Sequence, residues 1–379
     1  MASTFGTALR ATVFGQSHSP AVGCVLEGLP AGLAVDLDGL QRFVDRRSPG
    51  ATPGSTARRE RDLVRVVGGL NPAGRTCGAP FAALLANEDA RPGDYARAGR
   101  VPRPGHADLC AELRWHGEQD PAGGGHFSGR LTAPLCVAGG VALQWLATRG
   151  VEVRAHVAEL AGVADEPLEA QDNSPEGQLR LRGQMAALAS RPLEPFVDPE
   201  AGRRMAAEVA RARAEGDTVG GIVECVACGM PAGCGEPTAD GIENVLARDL
   251  FTIPAVKGVE FGRGFAAARL RGSQNNDAYE LRDGRVVPRT NSAGGVLGGI
   301  TTGAPVHVRV AVKPIPTLGR PQDSVDLDAM APAQSRPGGR HDATAVVRAV
   351  PVVEAVVALG LADALLAWPA HDGKGGLCR

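Results

Sequence analysis

Two long apolar segments constrain the fold of this chain more than any other feature of its sequence. Residues 131–147 carry no charged side chain, and residues 346–368 consist mostly of Val, Ala and Leu. The first segment is shorter than the roughly 20 residues that span a bilayer, and it contains Pro134 and the pair Gly139-Gly140. Three charged residues interrupt the second segment: Arg348, Glu354 and Asp363. Both segments therefore predict helices buried in a soluble core rather than membrane spans.

The rest of the chain alternates between short strand patterns and helix patterns. Runs rich in Val, Ile and Ala predict strands at residues 21–27, 62–67, 79–85, 151–160, 220–227 and 306–312. Helical patterns are predicted at residues 36–47, 130–148, 198–215, 240–250 and 345–367. This alternation predicts a mixed α/β fold whose sheets are covered on at least one face.

The sequence contains no feature that would divide the chain into separate domains. No Ser/Gly linker, internal repeat or block of like charge divides the chain, so we predict one domain over residues 1–379. The polar segment 165–182 is predicted as a surface excursion, and residues 369–379 as a flexible C-terminal tail.

Charge and composition argue against several classes of partner. Lys and Arg number 40 against 42 Asp and Glu, so a net charge of −2 gives no overall attraction to nucleic acid or to a membrane surface. Aromatic residues make up only 4% of the chain, which leaves little surface for stacking bases. The first ten residues contain no apolar signal segment, and the eight cysteines do not follow a disulfide framework. These features predict a cytoplasmic protein with free thiols.

Standard cofactor motifs are missing from the sequence. No G-x-G-x-x-G follows a strand, and neither a P-loop nor H-E-x-x-H occurs. The turn 15–19 is not a nucleophile elbow, because its fifth residue is Ser and no strand clearly precedes it. Cys225 and Cys228 form a C-x-x-C within an apolar run, but zinc would need two further ligands at a matching spacing. We interpret them as two core-facing thiols near the end of a strand.

Three histidines stand beside oxygen or charge partners in separate short stretches. The stretches are Gly15-Gln16-Ser17-His18-Ser19, Pro104-Gly105-His106-Ala107-Asp108 and Gly339-Arg340-His341-Asp342. Imidazole exchanges protons near neutral pH. Glycine-rich turns with cations or hydroxyls accompany them at residues 123–130, 271–277 and 291–295, together with the pairs Arg46-Arg47, Arg58-Arg59 and Lys313-Pro314. Such turns bring backbone N–H groups close to an anion, so the sequence predicts a phosphate pocket in which a proton is transferred.

These motifs, taken in order, resemble chorismate synthase from about residue 5 to about residue 366. The resemblance rests on Phe14-Gly15-x-Ser17-His18, Asp45-Arg46-Arg47-x-Pro49-Gly50, Arg58-Arg59-Glu60, Arg103-Pro104-Gly105-His106-Ala107-Asp108, Gly123-Gly124-Gly125, Arg271-Gly272-Ser273-Gln274-Asn275, Ala293-Gly294-Gly295-Val296-Leu297-Gly298-Gly299-Ile300, Lys313-Pro314 and Gly339-Arg340-His341-Asp342. It implies a carbon–oxygen lyase that converts 5-enolpyruvylshikimate 3-phosphate to chorismate by 1,4-anti elimination of phosphate, in the shikimate pathway of aromatic amino acid biosynthesis. It also implies reduced FMN as a cofactor without net redox change, NADPH as an external source of reductant, a single-domain β-α-β sandwich and a homotetramer.

The resemblance also implies roles for individual residues. His18 would protonate the departing phosphate, His106 would protonate the reduced flavin, and Asp342 would assist proton removal. Substrate-binding residues would be Ser17, Arg47, Arg130 and Arg340. FMN contacts would come from His126, Phe127, Ser128, Ala255, Gly298, Lys313, Pro314, Ile315, Pro316, Thr317 and Arg340.

Some positions depart from the commonest family pattern. Gln16 and Ser19 replace Glu and Gly, and His126-Phe127 replaces an Arg-Ser pair. Pro53, Ile315-Pro316 and Ala343-Thr344 also differ from the usual residues. The alternative function is a flavin-dependent oxidoreductase acting on a small anionic substrate. It is disfavoured because no nicotinamide fingerprint is present and because the many arginines suit a multiply anionic substrate.

Overall fold

The computed structural model describes residues 3–48, 62–87, 100–120, 122–335 and 342–368. The α-helices in these ranges are α1 Leu37–Asp45, α2 Asp108–Trp115, α3 Thr132–Ala147, α4 Pro175–Ser190, α5 Pro199–Ala214, α6 Ile242–Leu250, α7 Gly272–Asn275 and α8 Val346–Ala367. The strands are β1 Thr4–Phe5, β2 Arg10–Gly15, β3 Ala21–Glu27, β4 Arg65–Gly68, β5 Phe81–Ala86, β6 Glu152–Leu160, β7 Val163–Ala164, β8 Gly221–Cys228, β9 Val256–Phe261, β10 Tyr279–Arg282, β11 Arg285–Pro288, β12 Val296–Leu297, β13 Ile300–Thr301, β14 Val306–Val312, β15 Gln322–Asp326 and β16 Ala331–Ser335.

Two five-stranded sheets form the outer layers of the molecule. The first has the order β1-β2-β3-β5-β4 and the second β7-β6-β8-β14-β9, with every neighbouring pair antiparallel. Strand β5 shows why each sheet has one covered face. Its alternate residues Phe81, Ala83 and Leu85 are fully buried, while the residues between them are only partly covered.

The two apolar helices lie between these sheets. Helix α3 packs against β3 and β5 of the first sheet, α8 packs against β6 and β8 of the second, and the two helices pack against each other. Gly139 of α3 permits the crossing, because a Cβ atom there would come within 2.3 Å of the Ala355 Cβ of α8. The fold is therefore a β-α-β sandwich, as expected from the sequence.

Helix α8 is the one described helix that is long and apolar enough to cross a membrane by length and composition. Within the fold, 83% of its most apolar window is buried. Arg46, just beyond α1, pairs with the buried Glu354 of α8 at 2.5 Å, and Glu354 also accepts the Ala155 N–H of β6. The Glu354 side chain of α8 thus connects the helical layer to β6 and to the segment after α1.

The predicted elements agree with the structure at most positions. Strands β3, β5, β6, β8 and β14 and helices α1, α3, α5, α6 and α8 lie within two residues of their predicted bounds. The predicted strand at 62–67 is shifted to Arg65–Gly68. A strand that the sequence did not reveal, β2 Arg10–Gly15, leads directly into the turn at 15–19. Its half-exposed residues and glycine end obscure the strand pattern.

Two other expectations concern particular segments. Segment 165–182, predicted as a polar surface excursion, buries Asp165, Leu168 and Leu181 and includes the first part of α4. Cys225 and Cys228 pack on opposite faces of β8, where burial raises the pKa of Cys228 to about 11 and also raises the pKa of Cys225 well above its usual value. The predicted tail at 369–379 lies outside the described residues.

Candidate active site

A cavity of about 500 Å³ opens where the ends of both sheets meet the helical layer. Its lining comes from the turn after β2, the end of α1, the loop before α2, the turn before α3, the turns flanking β9 and β14, and the start of α8. Because each of these segments ends or begins a regular element, the site is assembled from turns held on a rigid frame. Pockets of this size hold small-molecule ligands.

The glycine-rich turn at 123–125 passes directly beneath both cavity histidines. All three glycines have positive φ values, which side chains rarely adopt. A Cβ atom on Gly123 would lie 2.2 Å from Cε1 of His18, and one on Gly124 would lie 3.1 Å from Nε2 of His106. The Ser17 N–H also donates to the Gly125 carbonyl at 3.1 Å. The glycines therefore allow the backbone of this turn to pack directly against the two imidazole rings.

One buried carboxylate fixes two arginines in the cavity wall. The side chain of Asp62 is fully buried, and it pairs with Arg47 at 2.6 Å through Oδ2 and with Arg130 through Oδ1. Burial opposes ionisation of Asp62, but the two guanidiniums outweigh it and hold the pKa of its carboxyl below the usual value. Both guanidinium groups are consequently positioned before any ligand arrives.

Further hydrogen bonds complete the fixation of these arginines. Arg47 donates through Nε to the Thr132 hydroxyl and through a terminal nitrogen to the Gly129 carbonyl, each at 3.0 Å. Arg130 donates to the Asn87 side chain at 2.7 Å and to the Ala86 carbonyl at 3.0 Å. Arg47 is 4% exposed and Arg130 7%, so the two charges act in a poorly hydrated wall.

A second arginine–aspartate pair lies at the start of α8. Arg348 donates to Asp342 Oδ2 at 2.5 Å, and its Nε donates to the Arg47 carbonyl at 2.9 Å. Burial and the neighbouring charge of Arg47 lower the pKa of Arg348, and Asp342 offsets only part of that effect. Among the described residues in this part of the wall, three guanidiniums face two carboxylates, which leaves a positive charge available to an anion.

The second sheet supplies a more apolar part of the lining. Ile253, Pro254 and Ala255 precede β9, and Ile315 and Pro316 follow β14. Ala255 has a φ of +74°, and its carbonyl accepts the Lys313 N–H at 2.9 Å. Such a conformation is rare for a residue with a side chain and is often found at functional sites. The cavity thus combines an apolar wall, suited to a flat ring, with cations suited to phosphate and carboxylate groups.

Comparisons with known proteins agree with this geometry. A family model described as chorismate synthase matches residues 9–366. The chain is 50% identical over 374 residues to the chorismate synthase of Lancefieldella parvula, covering 98% of each chain. It is 44% identical over 364 residues to that of Korarchaeum cryptofilum, covering 96% of this chain and 97% of the relative.

The chain belongs to the chorismate synthase family. A crystal structure of a chorismate synthase matches it with a TM-score of 0.73 at 27% identity, covering 95% of this chain and 92% of the other. The family expected from the sequence motifs is therefore confirmed, and so is the fold class.

Most site residues expected from the chorismate synthase motifs meet in this one cavity. Those that line it are Ser17, His18, Arg47, His106, Phe127, Ser128, Arg130, Ala255, Lys313, Ile315, Pro316, Thr317 and Asp342. Arg340, and the pair Arg58-Arg59 quoted with the motifs, lie outside the described residues. Arg46 was grouped with the phosphate pocket on its sequence position, but it pairs with Glu354 between the layers instead.

Three expected flavin contacts are not part of the lining among the described residues. The His126 ring packs against Trp115 at a centroid distance of 5.0 Å and against Phe127 at 4.2 Å. Pro314 is exposed between two lining residues, and Gly298 lies in the turn between β12 and β13. Their role in binding flavin stays a prediction.

Sequence reasoning did not assign several charged residues that the chorismate synthase cavity depends on. Asp62 and Arg348 are the most important, because they hold Arg47, Arg130 and Asp342. One available signal was the charge of Arg348 within an apolar helix segment, which requires a partner or a cavity. Asp62 offered no such signal, since it follows a run of charged residues.

Proposed function

We propose that this chain catalyses the conversion of 5-enolpyruvylshikimate 3-phosphate to chorismate and phosphate, with reduced FMN as cofactor and no net redox change. Membership of the chorismate synthase family supports this reaction. The observation that carries the proposal is a single cavity that combines two histidines and an aspartate with three arginines held by carboxylates. Such a site suits a multiply anionic substrate that loses phosphate and a proton.

The substrate's anionic groups would bind at the arginine-lined wall. Arg47 and Arg130 present fixed, poorly hydrated guanidiniums, and the buried residue Ser17 adds a hydroxyl. Arg340 is a further proposed substrate ligand, on the basis of its motif. Because these guanidiniums are already oriented by Asp62, little reorganisation is needed when charge develops on the leaving phosphate.

Proton transfers would be divided among three residues around the cavity. His18, beside Ser17 and Gly123, would donate a proton to the departing phosphate oxygen. Asp342, paired with Arg348, would assist removal of the ring hydrogen. His106, on the other side of the glycine turn, would hold a proton near the cofactor. Three separate groups allow the acid and base steps to proceed without one residue serving both.

The residues at the apolar wall fit a flavin. Ala255, Ile315 and Pro316 would contact its ring system, and Lys313 and the buried Thr317 would bind its polar groups, with Phe127 and Ser128 nearby. His126, Gly298, Pro314 and Arg340 are proposed contacts from the motifs. When bound, reduced FMN supplies electron density to the reacting centre without net oxidation. Burial of the cavity wall would limit the access of water to it.

The wider setting is part of the same proposal. We expect a cytoplasmic homotetramer that obtains reducing equivalents from NADPH outside the site. The described free cysteines, several of them deeply buried, support a reducing compartment. Sedimentation velocity measurements would give the assembly state directly.

An anaerobic assay tests the main proposal against the flavin-dependent oxidoreductase alternative. With photoreduced FMN and 5-enolpyruvylshikimate 3-phosphate, we expect chorismate absorbance and equimolar phosphate, while the flavin remains reduced after many turnovers. Oxidised FMN serves as the matched control and should give no product. Flavin oxidation in step with substrate consumption, without phosphate release, would instead establish the oxidoreductase.

A further inference from the structure

The loop before α2 folds back so that one carboxylate receives four hydrogen bonds. Arg103 donates to Asp108 Oδ2 through its backbone N–H at 3.0 Å and through Nε at 2.7 Å. Its terminal nitrogen donates to Oδ1 at 2.8 Å, and Nδ1 of His106 lies 2.5 Å from the same oxygen. Three residues within a six-residue segment thus form an Arg–Asp–His chain that ends at the cavity.

This arrangement keeps Asp108 ionised. Burial opposes its negative charge, but the hydrogen bonds from Arg103 and His106 outweigh burial and hold the pKa of its carboxyl well below the usual range. Asp108 is also the first residue of α2, where the helix dipole stabilises a negative charge. The carboxylate is therefore ionised and acts as a hydrogen-bond acceptor at neutral pH.

An ionised Asp108 determines which nitrogen of His106 carries hydrogen. The terminal nitrogen of Arg103 lies 3.1 Å from Nδ1 of His106 and 3.5 Å from Nε2, but its shorter contact, at 2.8 Å, is with Asp108 Oδ1. Because a carboxylate can only accept a hydrogen bond, the 2.5 Å contact between Nδ1 and Asp108 Oδ1 requires an Nδ1–H donor. In the neutral imidazole this leaves Nε2 with the lone pair. Gly124, whose φ is +98°, lies against this edge, where any Cβ atom would come within 3.1 Å of Nε2.

We propose that Asp108, held by Arg103, is the positioning residue that sets the tautomer and orientation of His106, so that Nε2 is the nitrogen exchanging protons in the cavity. This inference rests on the proposed function for the role of His106 in turnover. The tautomer of His106 is a property of the protein alone, so that part of the inference is independent of the proposed function. Asp108 contacts neither substrate nor cofactor in this scheme and acts only through His106.

The variant Asp108→Asn separates positioning from simple support of the loop. An Asn side chain can place its amide N–H₂ toward Nδ1, which stabilises the opposite tautomer while preserving size. We expect kcat to fall about 10- to 100-fold, as it does when the carboxylate that orients a metal-bound histidine is removed, with little change in the substrate KM. Asp108→Glu, which restores the charge, should recover part of kcat.

Glu112→Gln is the matched control. It removes a carboxylate from the same helix, where Glu112 accepts a hydrogen bond from Gln119 at 2.6 Å and does not line the cavity. This variant should keep wild-type kcat. Equal losses in Glu112→Gln and Asp108→Asn would show that the effect comes from α2 as a whole and would overturn the proposal.

A second readout uses the protein without flavin or substrate. Long-range ¹H–¹⁵N spectra report the tautomer of each histidine, and the His106 signals are identified by their loss in His106→Gln. We expect the Nδ1–H form in the wild type and its loss in Asp108→Asn. A wild-type ring in the Nε2–H form, or identical His106 spectra in both proteins, would refute the inference. A wild type that shows this tautomer but makes no chorismate would instead refute the proposed function.

Discussion

Two clusters of charged residues in the described part of this protein use the same kinds of side chain, but only the first contributes to the lining of the cavity of about 500 Å³. The cavity cluster comprises His18, Arg47, Asp62, Arg130, Asp342 and Arg348. The sheet cluster comprises His156, Asp165, Glu224 and His307, which lie on or beside β6, β8 and β14. Its four residues are all buried. Both clusters pair cations with buried carboxylates, so pairing and burial alone do not distinguish them.

Hydrogen bonds satisfy both carboxylates of the sheet cluster, whereas Nδ1 of His307 is buried without a hydrogen-bond partner among the described residues. His156 contacts Asp165 through Nδ1 at 2.9 Å and Glu224 through Nε2 at 2.7 Å, and His307 contacts Glu224 at 2.8 Å. The carboxylates also accept backbone N–H groups from Leu168 and Val197. Every acceptor is therefore directed at a fixed part of the protein, and the cluster connects β6 and β8 to the segments that cover them.

The cavity cluster differs because its side chains come from turns and helix ends. Three arginines there face two aspartates, whereas in the sheet cluster two carboxylates enclose His156. The cavity cluster thus retains positive charge and open space for an anion. Perturbed pKa values occur in both clusters, so we expect a perturbed pKa to mark a functional site only where a cavity accompanies it. The comparison also predicts that substitutions in the cavity cluster reduce turnover, whereas substitutions in the sheet cluster reduce stability.

The largest effect is expected for His18→Ala. If His18 protonates the leaving phosphate, phosphate release should slow by about 10²–10⁴-fold, the usual contribution of a positioned acid. The thermal unfolding midpoint should stay close to that of the wild type, because the imidazole faces the cavity. His116→Asn, at the exposed end of α2, is the matched control. A loss below about fivefold would remove His18 from the acid–base set.

Glu224→Gln should have its effect on folding instead. It removes the carboxylate shared by His156 and His307, and breaking a buried pair costs about 3–5 kcal/mol of unfolding free energy. The folded fraction should turn over at nearly the wild-type rate. Urea unfolding and active-site-normalised assays measure the two quantities.

The exposed pair Glu200–Arg203 supplies the control for this experiment, and Glu200→Gln should change stability little. A Glu224→Gln protein with normal stability and strongly reduced turnover would show that the sheet cluster takes part in the chemistry. The contrast between the two clusters would then be wrong.

The next largest effect is expected for Asp342→Asn. It keeps shape and hydrogen bonding to Arg348 but removes the basic form, so turnover should fall by about 10²-fold while ligand binding largely survives. With deuterium at the ring position, the isotope effect on turnover should increase, because proton removal becomes more rate-limiting. Near-normal turnover with an unchanged isotope effect would assign Asp342 a structural role only.

The smallest effect is the pH dependence contributed by the sheet cluster. Burial opposes protonation of His156, but its hydrogen bonds to Asp165 and Glu224 outweigh burial and raise its pKa. Burial likewise opposes ionisation of Glu224, but the two histidines lower its pKa well below the usual range. The histidine contribution to stability is complete below the unfolded pKa of about 6.5 and is lost as pH rises through the raised value. The glutamate contribution is complete above about 4.3 and is lost as pH falls through the lowered value.

Comparison of the wild type with His156→Gln should reveal this dependence. The wild-type advantage in unfolding free energy should be greatest between about pH 4.3 and 6.5 and decline on the alkaline side by up to about 1.4 kcal/mol per pH unit. Urea unfolding at a series of pH values measures it. An advantage that grows from pH 6.5 to 9 would mean that His156 is neutral in the fold.

The cavity residues that could be predicted from the sequence are those that lie in recognisable short motifs. His18, His106 and Asp342 occur in short motifs with glycine and hydroxyl or charged residues, and all three line the cavity. The residues that hold them were harder to find. Asp62 pairs with Arg130 from 68 positions away, and Arg348 donates to the carbonyl of Arg47 from 301 positions away. Neither contact leaves a local pattern.

The contacts of His156 and His307 in the sheet cluster were equally hard to predict from the sequence. They lie in apolar strand patterns that predict β6 and β14 well, and nothing in those patterns shows that the two imidazoles meet one carboxylate on β8. Strand register determines that meeting, since Glu224 lies opposite His156 on one side and Arg309 on the other. A shift by one residue would place these side chains on the opposite face.

The sequence by itself determined most of the longer helices and strands, through apolar periodicity and capping residues such as Asp36 and Asp198, and it determined the family through motifs that preserve turn chemistry. Only the tertiary structure decided which charges share a cavity and which are sealed in a sheet. The physical reason lies in the range of the interactions. Helix and turn formation depend on residues a few positions apart, whereas ionisation and positioning of a buried side chain depend on partners that any part of the chain can supply.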